Sequence, residues 1–171
     1  MKKALPFITI IIVIAIIIGV FLSMSNQKQM VVIYEDNHEH KPVDIKLSHF
    51  QDTQCGMTIT KLKDSVQAIS PEGKTWFFDD MGCFALWYKN IAFQKEAKVW
   101  AYSRDTNEYI DAKEAWYSKT DNTEMGYGFA AYKSKTNKVI GEMVSFDEML
   151  VKMYRGENMA NPQIRKKLLG K

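Results

Sequence analysis

The sequence predicts a small α+β domain preceded by one N-terminal transmembrane helix. The first observation is an apolar run over residues 5–22 that contains no charged side chain. The second is that short β-prone runs alternate downstream with stretches of helical periodicity. The third is the order of these elements, which is strand, strand, helix, strand in the first half and a weaker version of that order in the second. Without the anchor and a linker, about 125 residues remain, enough for one domain with its own core.

The apolar run has the length and the flanks of an uncleaved membrane anchor. At about 1.5 Å per residue, a helix over these positions covers roughly 27 Å, close to the thickness of a hydrocarbon core. A cleaved signal peptide is the alternative, but its apolar region is usually shorter and ends in a small-x-small motif. Residues 20–26 read VFLSMSN, without such a motif and without a cysteine that could accept a lipid. Lys2 and Lys3 favour a cytoplasmic N-terminus, so we expect the domain to face outward.

The charge is divided unevenly along the chain. The net charge of +3 arises from the two ends, because residues 29–154 carry 15 Lys and Arg against 19 Asp and Glu, a net of −4. A nucleic-acid-binding domain would carry a basic patch, so we expect no nucleic-acid partner. The basic tail is interpreted as a solvated, disordered end, with contact to anionic lipid or to a partner protein as the alternative. The predicted segments are a cytoplasmic N-terminus at 1–4, a transmembrane anchor at 5–22, a linker at 23–42, the folded domain at 43–154 and the basic tail at 155–171.

Periodicity, turn signals and cap signals place the elements of the domain. The Pro and Gly of SPEGK at 70–74 predict a hairpin between two β-prone runs. Asp79 or Asp80 is a suitable N-cap for one helix, and Ser145 with Glu148 three residues later has capping-box spacing for another. The predicted strands are 43–50, 66–69, 75–78, 97–103, 109–110, 116–117, 129–132 and 138–144, and the predicted helices are 81–93 and 146–154.

Cys55 and Met57 are the first residues that indicate a chemical role. In an extended chain, residues two apart point to the same side, and Gly56 between them lets the backbone bend. A thiolate and a thioether together suit copper(I) and are poor ligands for magnesium or calcium. Taken alone, however, this triplet is explained as well by a buried cysteine and a core methionine, since Met commonly fills cores.

Three short segments, in this order, resemble the NosL family of copper chaperones, which serve nitrous oxide reductase in the bacterial periplasm. They are CGMTI at 55–59, FDDMGC at 78–83, and YIDA at 109–112 followed by MGYGFAAY at 125–132. The resemblance covers about residues 50–150. It implies a fold of two ββαβ units, which agrees with the predicted order of elements. It also implies that copper(I) is held by Cys55 and Met125, with Met57 as the next candidate ligand.

Two features depart from the family pattern. Members are commonly lipoproteins attached through an N-terminal cysteine, whereas here a membrane helix would replace the lipid. The residue before Met125 is often Pro in the family and is Glu124 in this chain, which leaves the geometry of that loop open. The first departure changes the tether and not the chemistry.

Other residues near these motifs have alternative interpretations. Cys83 is interpreted first as a core residue, then as a disulfide partner of Cys55, and then as a metal ligand. His38 and His40 are interpreted as solvated linker residues, with capture of copper(II) or zinc as the alternative. His49 is interpreted as a strand-end residue or a further ligand. The adjacent carboxylates of the second motif are interpreted as a helix cap and a partner of the helix dipole, not as an acid–base pair.

These observations predict a single-pass protein of the bacterial inner membrane whose domain faces the periplasm. It would carry Cu(I) to an apo-enzyme or its assembly machinery, and the family resemblance implies nitrous oxide reductase as the recipient and a role in denitrification. The alternatives are a metal-free adaptor domain of a membrane-associated maturation complex and a thiol enzyme that uses Cys55 and Cys83. We expect no enzymatic activity, because the sequence has no Ser-His-Asp set, Gly-rich phosphate loop or Cys-x-x-Cys motif.

Overall fold

The computed structural model describes residues 5–25 and 30–170. The predicted cytoplasmic N-terminus with Lys2 and Lys3, part of the predicted linker at 26–29, and Lys171 lie outside the described residues. The helices are α1 Leu5–Ser25, α2 Met81–Tyr88, α3 Phe146–Tyr154 and α4 Pro162–Leu169. The strands are β1 Ile33–Tyr34, β2 Val66–Ile69, β3 Thr75–Phe78, β4 Lys98–Tyr102, β5 Tyr109–Asp111, β6 Trp116–Ser118, β7 Ala130–Tyr132 and β8 Met143–Val144.

The apolar run at the N-terminus forms α1. The side chains at 8–22 are all exposed. Within the described parts of the chain, no helix has the combination of length and apolar character that a membrane span requires. Membrane anchoring therefore stays a prediction from the sequence.

The remaining elements form a small mixed domain with two sheets. The larger sheet has the strand order β1-β3-β2-β4-β5 and the smaller has the order β7-β6-β8, and every neighbouring pair is antiparallel. The elements β2, β3, α2 and β4 follow the predicted order of strand, strand, helix, strand. In the second half, β6, β7 and β8 all precede α3, and the next described element is the helix α4, so the predicted second strand, strand, helix, strand unit is not found there. The strand β8 instead pairs with β6.

One core lies where α2 and α3 pack against the sheets. The ring of Phe84 on α2 contacts Phe78 of β3, with ring centroids 5.6 Å apart, and Phe146 at the start of α3, at 6.1 Å. Full burial of such a side chain stabilises the fold by about 1.5–3 kcal/mol relative to exposure. The start of α2, which carries the second motif, is therefore fixed by tertiary packing as well as by its cap.

A second, smaller core lies on the other face of β3 and holds the loop of the first motif. It contains Phe77, whose side chain points opposite to Phe78, together with Ile45, Phe50 and Ile59. Phe50 and Phe77 meet edge to face at 4.7 Å, and the backbone N–H of Ile59 donates to the carbonyl of Phe50 at 2.8 Å. This pairing closes the loop 51–58 at its base.

The strand predicted at 43–50 does not form. The side chain of Gln67 on β2 takes the place of a partner strand: its Nε2 donates to the carbonyl of Val43, and its Oε1 accepts from the N–H of Val43, both at 2.8 Å. Ile45 turns into the small core while Leu47 is exposed. The alternating pattern therefore reflects the burial of Ile45 and the hydrogen bonds from the Gln67 side chain to Val43, not pairing with a neighbouring strand.

The segments on either side of the predicted domain also have structure. Within the predicted linker, Ile33 of β1 lies opposite Trp76 of β3. Residues 158–159 are buried, and the N–H of Met159 donates to the carbonyl of Tyr127 at 2.9 Å. The tail thus differs from the expected disordered end. Its helix α4 has local signals in Asn161 as N-cap and Gly170, in the left-handed conformation, as C-cap.

Candidate metal centre

The loop that carries Cys55 is built around one buried carboxylate. Asp52 is 1% exposed, and its Oδ1 accepts hydrogen bonds from the N–H groups of Gln54 at 2.7 Å and Cys55 at 2.8 Å. The carbonyl of Asp52 accepts from Gly56, whose φ of 76° suits a residue without a Cβ. The loop therefore turns tightly and presents Cys55 at the surface.

Asp80 begins the helix that carries the second cysteine. It is the N-cap of α2, and its Oδ1 accepts from the N–H of Gly82 at 2.7 Å. This confirms the capping interpretation for Asp80. Cys83 lies in the first turn of α2, is 2% exposed and belongs to the main core. Core packing, the first interpretation of Cys83, is confirmed.

The loop and the helix start bring together four potential metal ligands. The sulfur atoms of Cys55 and Cys83 and one carboxylate oxygen each from Asp52 and Asp79 all lie within 4.8 Å of one another. We call these four residues the thiol–carboxylate cluster. Both cysteines are free thiols, so the disulfide does not form in this structure. Cys55 is exposed and the other three members are buried, which gives the cluster one face open to solvent.

Asp79 differs from the other carboxylates in this region because no backbone N–H or side-chain donor of the described residues reaches its two buried oxygens. Burial, then a hydrogen bond with the Asp52 carboxyl group and the negative charge of Asp52, raise the pKa of Asp79 to about 7. A buried, unpartnered carboxylate is costly unless a proton or a cation compensates its charge. In the metal-free domain a proton held between the Asp79 and Asp52 carboxyl groups compensates this charge, and a bound cation could take its place.

The two thiols share the same electrostatic surroundings. Burial raises the pKa of Cys55, and the carboxylates of Asp52 and Asp79 raise it further, against a lowering contribution from the backbone of Met57. Burial also raises the pKa of Cys83 far above its ordinary value. Both groups are thus protonated at neutral pH without a bound cation. A soft metal ion would displace these protons on binding.

Met57 lines the same cavity as Asp79, a member of the cluster. It is 47% exposed and lines a cavity of about 90 Å³ together with Asp79 and Glu124. The Lys61 ammonium pairs with the Glu124 carboxylate at 3.0 Å across this cavity, which joins the chain after Met57 to the loop before Met125. Glu124, which departs from the family pattern, therefore links the first and third motifs.

Met125 is held beside the second motif through its backbone. Its N–H donates to Oδ2 of Asp80 at 2.9 Å, and its side chain is half-buried against the main core. Nearby, the ring of Tyr127 covers Gly82, where a Cβ atom would lie 2.2 Å from ring carbon Cδ2. The second and third motifs are therefore in direct contact, although the hydrogen bond that joins them links residues 45 positions apart in the sequence.

The histidines do not belong to the thiol–carboxylate cluster. The Nε2 atom of His40 lies 3.1 Å from the carbonyl of Ser70, and His38 lies 3.8 Å from the exposed carboxylate of Asp36. The Nδ1 atom of His49 lies 3.1 Å from the carbonyl of Leu47. Each of the three therefore has a polar partner outside the cluster.

The sequence interpretation gave no role to Asp52, which organises the Cys55 loop. A local signal was present, because Asp commonly accepts hydrogen bonds from backbone N–H groups two or three residues later in a turn. The contact of its Oδ2 with the N–H of Asp79, at 2.8 Å, has no such local signal.

The fold and the site define a small α+β domain that presents a thiol–carboxylate cluster beside a cavity lined by Met57. The chain is similar to a crystal structure of the copper chaperone NosL from Shewanella denitrificans, with a TM-score of 0.55 and 16% sequence identity. The match covers 63% of this chain and 95% of the NosL chain. The domain therefore has a NosL-like fold. No family model and no curated protein matches the sequence.

Proposed function

We propose that this protein is a membrane-anchored periplasmic chaperone that carries copper(I) to a copper enzyme. The observation that carries the proposal is the thiol–carboxylate cluster, in which two sulfur atoms and two buried carboxylates converge within 4.8 Å. Thiols select soft ions, and two thiols beside a cavity lined by Met57 suit copper(I) better than magnesium or calcium. The description of the NosL neighbour as a copper chaperone, not an enzyme, agrees with this role.

Cys55 is the central ligand in this proposal. It is exposed while Cys83 is buried, so a partner protein can reach an ion on Cys55 without unfolding the core. Cys83 joins the ligand candidates because its sulfur lies within 4.8 Å of that of Cys55. Met57 and Met125, expected from the family resemblance, would supply thioethers from the two loops that the Lys61–Glu124 pair joins.

A carrier must release its ion as well as bind it. Soft, uncharged thioether ligands on an open face permit stepwise exchange, in which an incoming ligand replaces one leaving ligand at a time. The exposed positions of Cys55 and Met57 suit such exchange. The recipient proposed from the sequence resemblance is the apo form of nitrous oxide reductase or its assembly machinery.

The proposal is tested by copper(I) titration of the full-length chain in detergent, reduced and without oxygen, against a chromogenic chelator. We expect about one copper(I) per chain and no competition from magnesium or calcium. Cys55→Ser should remove most of the affinity, because a hydroxyl is a poor ligand for a soft ion. Ser103→Ala, at a buried hydroxyl outside the cluster, is the control and should bind copper(I) as the parent does. A parent chain that does not bind copper(I) would leave the metal-free adaptor as the better interpretation.

Membrane anchoring by α1 is the part of the proposal that rests on sequence. The run at 5–22 has no charge, and the described side chains of α1 are exposed and apolar apart from Thr9. Expressed in a bacterial host, the chain should stay with membranes through a carbonate wash, and added protease should reach the domain in spheroplasts. Recovery of the chain in the carbonate supernatant, or its cleavage behind residue 22, would contradict the anchor.

A further inference from the structure

Two buried carboxylates form a continuous series of hydrogen bonds between the proposed copper ligands. Asp52 accepts from the N–H of Cys55 with Oδ1 and from the N–H of Asp79 with Oδ2, both at 2.8 Å. The next residue, Asp80, accepts from Gly82 with Oδ1 and from Met125 with Oδ2. The backbone of Cys55 is thus connected to the backbone of Met125 through two side chains and one peptide unit.

We propose that Asp80 is a positioning residue of the copper site: its second oxygen fixes the Met125 loop against the start of α2 and so sets where the Met125 thioether can lie relative to Cys55. This inference rests on the proposed function, because it takes Met125 as a copper ligand. It adds a residue that does not touch the ion but determines how tightly the ion is held.

Asp80, the N-cap of α2, accepts a hydrogen bond from outside its own helix as well as the capping bond from Gly82. The caps of α3 and α4 are Ser145 and Asn161, and each accepts one hydrogen bond from its own helix with one oxygen. Asp80 is 0% exposed, and burying a carboxylate is costlier than burying a hydroxyl or an amide. Its second oxygen reaches across 45 residues to Met125, a contact that a serine cap would not make.

Other hydrogen bonds fix the ends of the Met125 loop but leave Met125 itself to Asp80. The N–H of Gly126 donates to the carbonyl of Thr123 at 3.0 Å, and the N–H of Gly128 donates to the Thr123 hydroxyl at 3.1 Å. Arg104 donates to the carbonyl of Asn122 at 2.8 Å. These contacts shape the loop, and the Thr123 side chain also hydrogen-bonds the Asp80 carboxylate. The hydrogen bond from Met125 to Asp80, together with the Tyr127 ring over Gly82, locates the loop against the helix that carries Cys83.

The test uses Asp80→Ser in the full-length chain, since Ser keeps one acceptor for the helix cap and removes the second oxygen. We expect copper(I) affinity to fall about 10–100-fold, the usual effect of losing a group that orients a metal ligand. Met125→Leu should then cost much less affinity in the Asp80→Ser background than in the parent, because the thioether is already misplaced. Asp80→Asn also keeps one acceptor for the helix cap and should lose copper(I) affinity to a similar extent. It replaces Asp80→Ser in the test if the serine variant does not fold.

Ser145→Ala is the matched control, because it removes a helix cap that has no contact with the site. It should lower the melting temperature and leave copper(I) affinity unchanged. Parental affinity in the Asp80 variants, or losses from Asp80→Ser and Met125→Leu that simply multiply, would overturn the positioning role while the proposed function stands. Failure of the parent to bind copper(I) would overturn the proposed function and this inference together.

Discussion

The ring of Tyr127 lies directly over Gly82, so close that a Cβ atom at Gly82 would sit 2.2 Å from Cδ2 and 2.6 Å from the Cβ of Tyr127. Gly is unfavourable inside a helix by about 1 kcal/mol relative to Ala. Here it allows the third motif to pack on the first turn of α2. Together with the Asp80–Met125 hydrogen bond, this contact holds the third motif against the helix start.

Gly82→Ala should therefore destabilise the domain although Ala is the better helix former. We expect a loss of about 1–3 kcal/mol in the free energy of unfolding, the usual cost of overpacking. Thermal melts of the full-length chain in detergent provide the measurement. Gly19→Ala in α1, where nothing lies within 4 Å, is the control and should melt as the parent does. A more stable Gly82→Ala variant would show that the Tyr127 ring moves aside without cost.

Met125→Leu should separate copper binding from packing. Leu keeps the volume and apolar character of Met, so the metal-free domain should lose less than about 1.5 kcal/mol. Copper(I) affinity should fall, because the thioether is gone. Met57→Leu should show the same separation more weakly. Copper(I) competition against a chelator, paired with melts of the metal-free forms, measures both effects.

Met81 is the control for the methionine substitutions. It is 2% exposed inside α2 and belongs to the main core. Met81→Leu should leave copper(I) affinity unchanged. If Met125→Leu instead destabilises the metal-free domain and binds copper(I) normally, Met125 is a packing residue. The ligand set would then consist of Cys55, Met57 and Cys83.

The pKa of Asp79 predicts that the metal-free domain becomes less stable as the pH rises. The folded chain holds the Asp79 proton up to about pH 7, whereas the unfolded chain releases it near 3.8. The stabilisation of the folded chain by the Asp79 proton is therefore fully present below about pH 4 and is lost between pH 4 and pH 7. Over that range the free energy of unfolding falls with a limiting slope of about 1.4 kcal/mol per pH unit.

Asp79→Asn isolates this effect, because Asn carries no titrating proton. Its free energy of unfolding, from denaturant titrations between pH 4 and 8, should fall less steeply with pH than that of the parent. At pH 8 the variant should be the more stable protein, since the parent then buries an uncompensated charge. Parallel curves for the two proteins would show that Asp79 titrates normally.

The two thiols should form a disulfide under mild oxidation of the metal-free chain. Their sulfur atoms lie within 4.8 Å and the chain has no other cysteine. Oxidised glutathione should convert both thiols to one disulfide, itself being reduced to two thiols, and copper(I) binding should disappear until a reductant is added. The reaction should be faster at alkaline pH, because the thiolate is the attacking species and the pKa of Cys55 is raised.

Thiol titration follows this reaction, and Cys83→Ser is its control. The variant should retain only a glutathione adduct on Cys55. A parent chain that also accumulates the adduct, without losing the second thiol, would show that the loop and α2 cannot approach to bonding distance.

Local signals in the sequence determined many of the elements. Ser145 and Glu148 predicted the start of α3, and the Ser145 hydroxyl does accept from the Glu148 N–H. The turn at 70–74 predicted the β2–β3 hairpin, and the Asp80 cap was among the two residues expected to begin α2. These features depend on groups within a few residues of each other, so their physical causes are visible in the sequence.

Where a local sequence pattern was compatible with more than one structure, tertiary contacts decided which structure formed. The alternation at 43–50 fits a strand, but the Gln67 side chain hydrogen-bonds both the N–H and the carbonyl of Val43, which a partner strand would otherwise use. Gln67 lies 24 residues away along the chain, so this contact has no local signal. The family resemblance supplied Cys55 and Met125, while only the fold brought Cys83 and Asp79 beside Cys55. Sequence thus determined which segments carry sulfur and carboxylate groups. Which of them meet was decided by the packing of the Cys55 loop, the start of α2 and the Met125 loop, because distances across these segments depend on the whole core.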